Sequence, residues 1–227
     1  MISTTQPIVT SAEVRWFFEG TLSQEIDQWF SASDFVSKLE IRDDSYLVFP
    51  QSISVGVKFR DGKLEIKSKV KSLGVRTYPS DVIGHVQVWD KWSYGDKESK
   101  SLLMQLQQML TKYTKVWVTV KKERKLRKIS MDQGNPFEVA PESRPHNGCN
   151  FELTKIVANH MRYWSIGFEA FGDPAKVEES LDKVVEHVLT NASIPISDAP
   201  KTILSANYSH SYPEWLGLLQ PNIATDR

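Results

Sequence analysis

Residues 54–70 read Ser54-Val55-Gly56-Val57-Lys58-Phe59-Arg60-Asp61-Gly62-Lys63-Leu64-Glu65-Ile66-Lys67-Ser68-Lys69-Val70, and this stretch decides the fold. Two alternating runs flank Asp61-Gly62, a dipeptide that readily takes the positive φ angles of a tight hairpin turn. In the first arm Val55, Val57 and Phe59 share one face while Lys58 and Arg60 share the other. In the second, Leu64 and Ile66 oppose Lys63, Glu65, Lys67 and Lys69. The spacing predicts an antiparallel hairpin that is greasy on one face and cationic on the other.

Working outward, alternation predicts further strands over residues 13–18, 45–49, 85–92, 116–124, 151–157 and 163–171. After Gly20, Thr21 with Gln24 reads as a capping box for a short helix burying Ile26, Trp29 and Phe30. A second helix is expected over 96–113, where Leu102, Leu103, Leu106, Met109, Leu110 and Tyr113 recur at helical spacing. Residues 132–150, rich in Gly, Pro, Asn and Ser, read as a loop. Asp173 as N-cap and Pro174 at the first position open a third helix, whose stripe is Val177, Leu181, Val184, Val185 and Val188. Beyond Asn191 no period is visible. Tyr208, Tyr212, Trp215 and Leu216 are too apolar for a free linker, so this tail is expected to lie along the body, and Pro213 argues against a helix there. Together these predict an α+β fold: an antiparallel β-sheet closed or nearly closed into a tunnel-like barrel over 11–191, with flanking helices. A flexible N-terminus, 1–10, precedes it, and a tail packed on the domain, 192–227, follows.

The chain of 227 residues carries 28 basic and 28 acidic side chains. No global field therefore draws it to nucleic acid or to an anionic membrane surface. Its single cysteine, Cys149, leaves no intramolecular disulfide, which suits a reducing compartment, the cytoplasm. No apolar run approaches the ~20 residues of a membrane span.

Lys58, Arg60, Lys63, Lys67 and Lys69 crowd one side of adjacent strands, an unfavourable arrangement unless water or an anion neutralises them. One reading leaves them on the wet face of a half-buried sheet, the surface of a non-enzymatic interaction domain. The other curls that face inward around a polyanion, a polyphosphate or a nucleotide-like small molecule. Lys122-Glu123-Arg124 repeats the spacing of Lys58-Phe59-Arg60, so two elements aim cations to one side. Glu13, Glu65, Glu152 and Glu169 also fall in strand-like runs, and carboxylates beside phosphate-binding cations are what Mg²⁺ or Mn²⁺ requires.

The order of these motifs resembles the CYTH superfamily, the triphosphate tunnel metalloenzymes. Glu13-Val14-Arg15-Trp16-Phe17, Lys58-Phe59-Arg60, Glu65-Ile66-Lys67, Lys122-Glu123-Arg124, Phe151-Glu152-Leu153 and Phe168-Glu169-Ala170 correspond in turn to the family's strands, over residues 11–190. The family's opening Glu-x-Glu-x-Lys survives here only as Glu13, with Arg15 and Phe17 in the other two inward positions. The resemblance implies phosphate binding by Lys58, Arg60, Lys67, Lys122 and Arg124, with Arg15 beside them. It implies Mg²⁺ or Mn²⁺ held by Glu13, Glu152 and Glu169, and triphosphate hydrolysis where that metal is bound.

Other chemistries find little support. The five histidines show no metal-ligand spacing, and Cys149 beside His146 lacks an orienting third group. Neither a nucleophile elbow nor a Walker-type phosphate loop is present.

Overall fold

Asp61 and Gly62 take φ angles of 48° and 75°, the left-handed pair that a two-residue hairpin turn needs. They join β3 (Val55–Arg60) to β4 (Lys63–Tyr78), with Lys58 directly opposite Glu65 and Val57 opposite Ile66. The structure, a computed structural model, describes residues 8–33, 35–48, 53–95, 105, 108, 117–191 and 204–219. The helix expected over 96–113 lies outside the described residues, apart from two helical positions.

In chain order the remaining elements are β1 (Val9–Glu19), α1 (Gln24–Ser31), β2 (Lys38–Leu47), β5 (Val82–Tyr94), β6 (Trp117–Ser130), β7 (Phe137–Val139), β8 (Gly148–Ala158), β9 (Met161–Phe171), α2 (Val177–Asn191) and α3 (Tyr212–Leu218). All strand pairings are antiparallel, in the order β2-β3-β4-β5-β1-β9-β8-β6. β2 then pairs with β6 from Lys38↔Leu126 to Leu47↔Trp117. That last ladder closes an eight-stranded barrel with no free edge, and β7 adds a short ribbon to the end of β6.

Alternation along closed strands sends one set of side chains to the lumen and the other to the outer wall. Here the larger apolar set points out. Val14, Trp16, Phe151, Leu153, Ile166 and Phe168 pack against Val177, Leu181, Val184 and Val185 of α2 and against Ile26 and Phe30 of α1. The main hydrophobic core therefore lies between barrel wall and helices. Among the described residues one end of the lumen is apolar, where Phe17, Tyr46, Val118, Val120 and Ile156 surround Trp215 and Leu216. The charged alternate positions have the rest of the interior to themselves.

Several boundaries differ from expectation for physical reasons. β1 begins at Val9, so two residues expected in the flexible N-terminus are strand; Val9 pairs with Lys91, and Thr10 donates to Asp90 at 2.6 Å. α1 is capped by Ser23, whose hydroxyl accepts from the Ile26 N–H at 3.2 Å. The Thr21–Gln24 box does not form, since Leu22 goes into the core and holds the chain extended. β7 and the first residues of β8 occupy part of the expected loop over 132–150; a three-residue strand is too short to show a period. The α2 stripe is buried along its whole length as the spacing predicts.

The tail holds a helix after all. Ser211 accepts from the Glu214 N–H while the Glu214 carboxylate accepts from the Ser211 N–H, a complete capping box. Pro213 sits in the first turn, where its missing N–H costs nothing. Before the helix, Ser209 bridges to Trp16, its hydroxyl accepts from the His85 N–H at 2.8 Å, and the His210 N–H donates to the Arg15 carbonyl at 3.0 Å. The tail thus threads between β1 and β5 and delivers α3 into the apolar mouth of the barrel. Among the described residues no helix is long and apolar enough to cross a membrane.

Candidate functional site

The polar part of the lumen holds a cavity of about 250 Å³, more than ten times the ~10–15 Å³ that accommodates one water. Eight cationic side chains and four carboxylates line it, so an anion is the favoured guest even with Asp44 and Glu40 paired to Lys122, Arg60 and Arg124 on the same inner face. Lys63 and Lys69 of the cationic face do not line this one cavity, whereas all nine residues to which the resemblance assigns a phosphate or a metal do. They arrive from β1, β3, β4, β6, β8 and β9, and strand order alone brings them together.

The charges fall into three groups. In the first, Asp44 of β2 is fully buried and binds the Arg60 guanidinium through both oxygens, at 2.5 and 2.9 Å. Lys122 Nζ lies 3.0 Å from the same carboxylate, donates to the Tyr46 hydroxyl at 2.6 Å and rests 3.8 Å from the centre of the Tyr212 ring. Burial alone would raise the Asp44 pKa, but Lys122 and Arg60 hold it well below the usual carboxylate range. Lys58 completes this group, 2.8 Å from Glu65.

The second group centres on Glu152 of β8. One of its oxygens accepts from Arg15 at 2.6 Å and the other accepts from Arg124. Arg124 also reaches Glu40 at 2.6 Å. Burial opposes ionisation of Glu152, yet the two guanidiniums keep its pKa low. Arg15 is seated by an absence: a Cβ on Gly167, its partner across the β1–β9 ladder, would fall 2.5 Å from the guanidinium carbon. Gly167→Ala is expected to cost about 1–3 kcal/mol by overpacking, read as a lower urea midpoint; unchanged stability would contradict this seat for Arg15.

In the third group Lys67 Nζ donates to Glu13 and, at 3.1 Å, to Glu169. Burial favours the neutral amine, but the two carboxylates outweigh it and raise the Lys67 pKa. Several donors remain unused as well. Arg42 Nε, Arg124 Nε and Thr154 Oγ1 are buried without a hydrogen-bond partner in the protein, and all three residues line the cavity. Buried donors are rarely left in this state.

Burial pushes the amines of Lys58 and Lys122 down to about 7; nearby Arg60 adds to the effect on Lys58, and Asp44 opposes it on Lys122. Between that value and the ordinary 10.5 of a free lysine, the unfolded chain binds more protons than the folded one. Their contribution to stability therefore rises with pH across this window and is least favourable below 7. A bound anion favours the protonated form and reverses the preference. Sulfate, whose charge is constant here, is expected to bind about tenfold or more weakly at pH 9 than at pH 6, the worth of one charged hydrogen bond. Titration calorimetry at the two pH values checks this, and equal affinity would contradict it.

The carboxylates do not fit the metal set that the resemblance implies. Glu152 has both oxygens committed to arginines, and Glu13 and Glu169 share an ammonium. Among the described residues no three His, Cys, Asp or Glu side chains gather as metal ligands. Phe17, in the family's lysine position, stacks on Trp215 with centroids 4.5 Å apart and planes 5° apart. Sequence reasoning missed Asp44, Arg42 and Tyr212. The first two were visible as the alternation Lys38-x-Glu40-x-Arg42-x-Asp44, with Leu39 and Ile41 between.

The chain matches no protein-family model and no curated protein. Among solved structures it is similar to a chain of the Schizosaccharomyces pombe Mediator head module, at 7% identity and TM-score 0.46, covering 83% of this chain and 96% of that one. It is also similar to the PH1819 protein of Pyrococcus horikoshii OT3, at 12% identity and TM-score 0.41, covering 90% and 97%. The PH1012 protein of the same organism gives 12% identity and TM-score 0.38, covering 82% and 92%. At such scores these likenesses add nothing to what the closed antiparallel barrel itself shows.

Proposed function

We propose that the barrel binds a compact small polyanion, of polyphosphate or nucleotide-like type, in its cationic lumen. The observation that carries this reading is the excess of cations over carboxylates around an internal cavity. Lys58, Arg60, Lys122 and Arg124 face the anion from β3 and β6, with Arg42 beside them on β2. Arg15 adds charge from β1 across the barrel, and Lys67 from β4 beside β3. Guanidinium forks suit phosphoryl oxygens, and their planar geometry supports bidentate contacts. An interaction domain displaying the same cations to solvent does not fit, because the side chains of Lys58, Arg60 and Lys122 are largely covered. The lumen carboxylates are engaged by arginines and by the Lys67 ammonium, and binding is therefore the first property to test.

Ligand at about a hundred times its dissociation constant stabilises the native state by ~2.7 kcal/mol. A thermal-shift screen with tripolyphosphate, ATP and sulfate is therefore expected to raise Tm by several degrees. Lys58→Ala or Arg60→Ala should remove the shift. An equal shift in both variants, or none in the wild type, would sink the reading, and phosphate-release measurements on any hit report whether chemistry follows binding.

A further inference from the structure

Two lumen cations are held by the carboxylates that a metal would need. Arg15 is almost fully buried, donates to Glu152 at 2.6 Å and to the Ser165 hydroxyl at 3.4 Å, and lies 5.3 Å from the centre of the Tyr212 ring. Its seat is built into the wall, since Gly167 alone leaves the room it occupies. Arg124 takes the remaining Glu152 oxygen, and Lys67 lies between Glu13 and Glu169. Mg²⁺ demands about six oxygen ligands in near-ideal geometry, whereas here the available oxygens face fixed positive charges. A divalent ion entering this space would have to displace an ammonium and sit close to two guanidiniums.

We propose that Arg15 and Lys67 are resident cations standing where a divalent metal would otherwise bind, so that the lumen takes its oxyanion without metal. The part of this inference that concerns the oxyanion rests on the anion-binding reading above. The part that concerns the metal does not.

The test has two arms on the full chain. Manganese alone is titrated and followed by electron paramagnetic resonance. The wild type is expected to show no site tighter than about 1 mM, while Lys67→Ala, which bares Glu13 and Glu169, should bind Mn²⁺ about tenfold more tightly. Should Lys67→Ala fail to fold by circular dichroism, Arg15→Gln, which frees one Glu152 oxygen, takes its place. In the second arm tripolyphosphate is titrated calorimetrically in EDTA and in Mg²⁺. Affinity in Mg²⁺ no higher than in EDTA is expected, because Mg²⁺ binds phosphate oxygens and competes for the free ligand.

A wild-type Mn²⁺ site well below 1 mM, or tripolyphosphate binding only with Mg²⁺, overturns the inference. Absence of any anion binding sinks the proposed function, while the manganese titration still decides whether the carboxylates are closed to metal.

Discussion

Asp44→Ala is expected to lose about 3–5 kcal/mol of stability, the usual cost of stripping one partner from a buried ion pair. The carboxylate has no solvent exposure and the Lys122 side chain only 3%, so its loss leaves Lys122 and the bound face of Arg60 without their buried counter-ion. The same substitution makes the lumen more cationic. Sulfate or tripolyphosphate is thus expected to restore part of the loss, raising the variant's Tm more than the wild type's. Urea denaturation measures the loss, and thermal denaturation with and without sulfate measures the recovery. A variant as stable as wild type, or one that anions leave unmoved, would show that the interior charges are not balanced as described.

Trp215→Ala is expected to cost a similar ~3–5 kcal/mol, the range for truncating a buried tryptophan. The ring is 4% exposed. It stacks on Phe17 and meets Tyr163 edge-on at 5.3 Å, so its loss leaves a cavity in the one apolar end of the lumen. The neighbouring residues Tyr212 and Pro213 line the polar cavity, and anion affinity should fall along with stability. A loss below about 1 kcal/mol in equilibrium unfolding would mean that α3 does not plug the barrel.

Much of the barrel was legible because period-two alternation is written plainly in the hairpin at 54–70 and in the strands carrying Glu13, Lys122, Glu152 and Glu169. The sequence placed those side chains on common faces; it could not say which way the faces turned. Closure of β2 on β6 settles that, and no local signal encodes a ladder between residues eighty apart. β2 itself was half missed because it inverts the usual rule. Leu39 and Ile41 point outward, 56% and 74% exposed, while Glu40, Arg42 and Asp44 point inward, so the expected strand begins only at Ser45.

The metal set shows a different limit. Glu13, Glu152 and Glu169 are in the lumen, but whether a carboxylate is a ligand or a counter-ion depends on its neighbours. Arg15 and Arg124 become neighbours of Glu152 only through the pairing of β1 with β9 and of β6 with β8. In the tail, Ser211-x-x-Glu214 is a sufficient helix signature, and Pro213, which taken alone argues against a helix, stands in the one turn that tolerates it.

The claim on which the rest depends is that the cationic faces enclose a site for an oxyanion. Crystals soaked in selenate, with the anomalous signal of selenium located, test it most directly. The account requires a peak inside the barrel within hydrogen-bonding distance of Lys58, Arg60, Lys122 or Arg124. Selenate found only on outer-wall lysines such as Lys121 and Lys155, with an empty lumen, would contradict it.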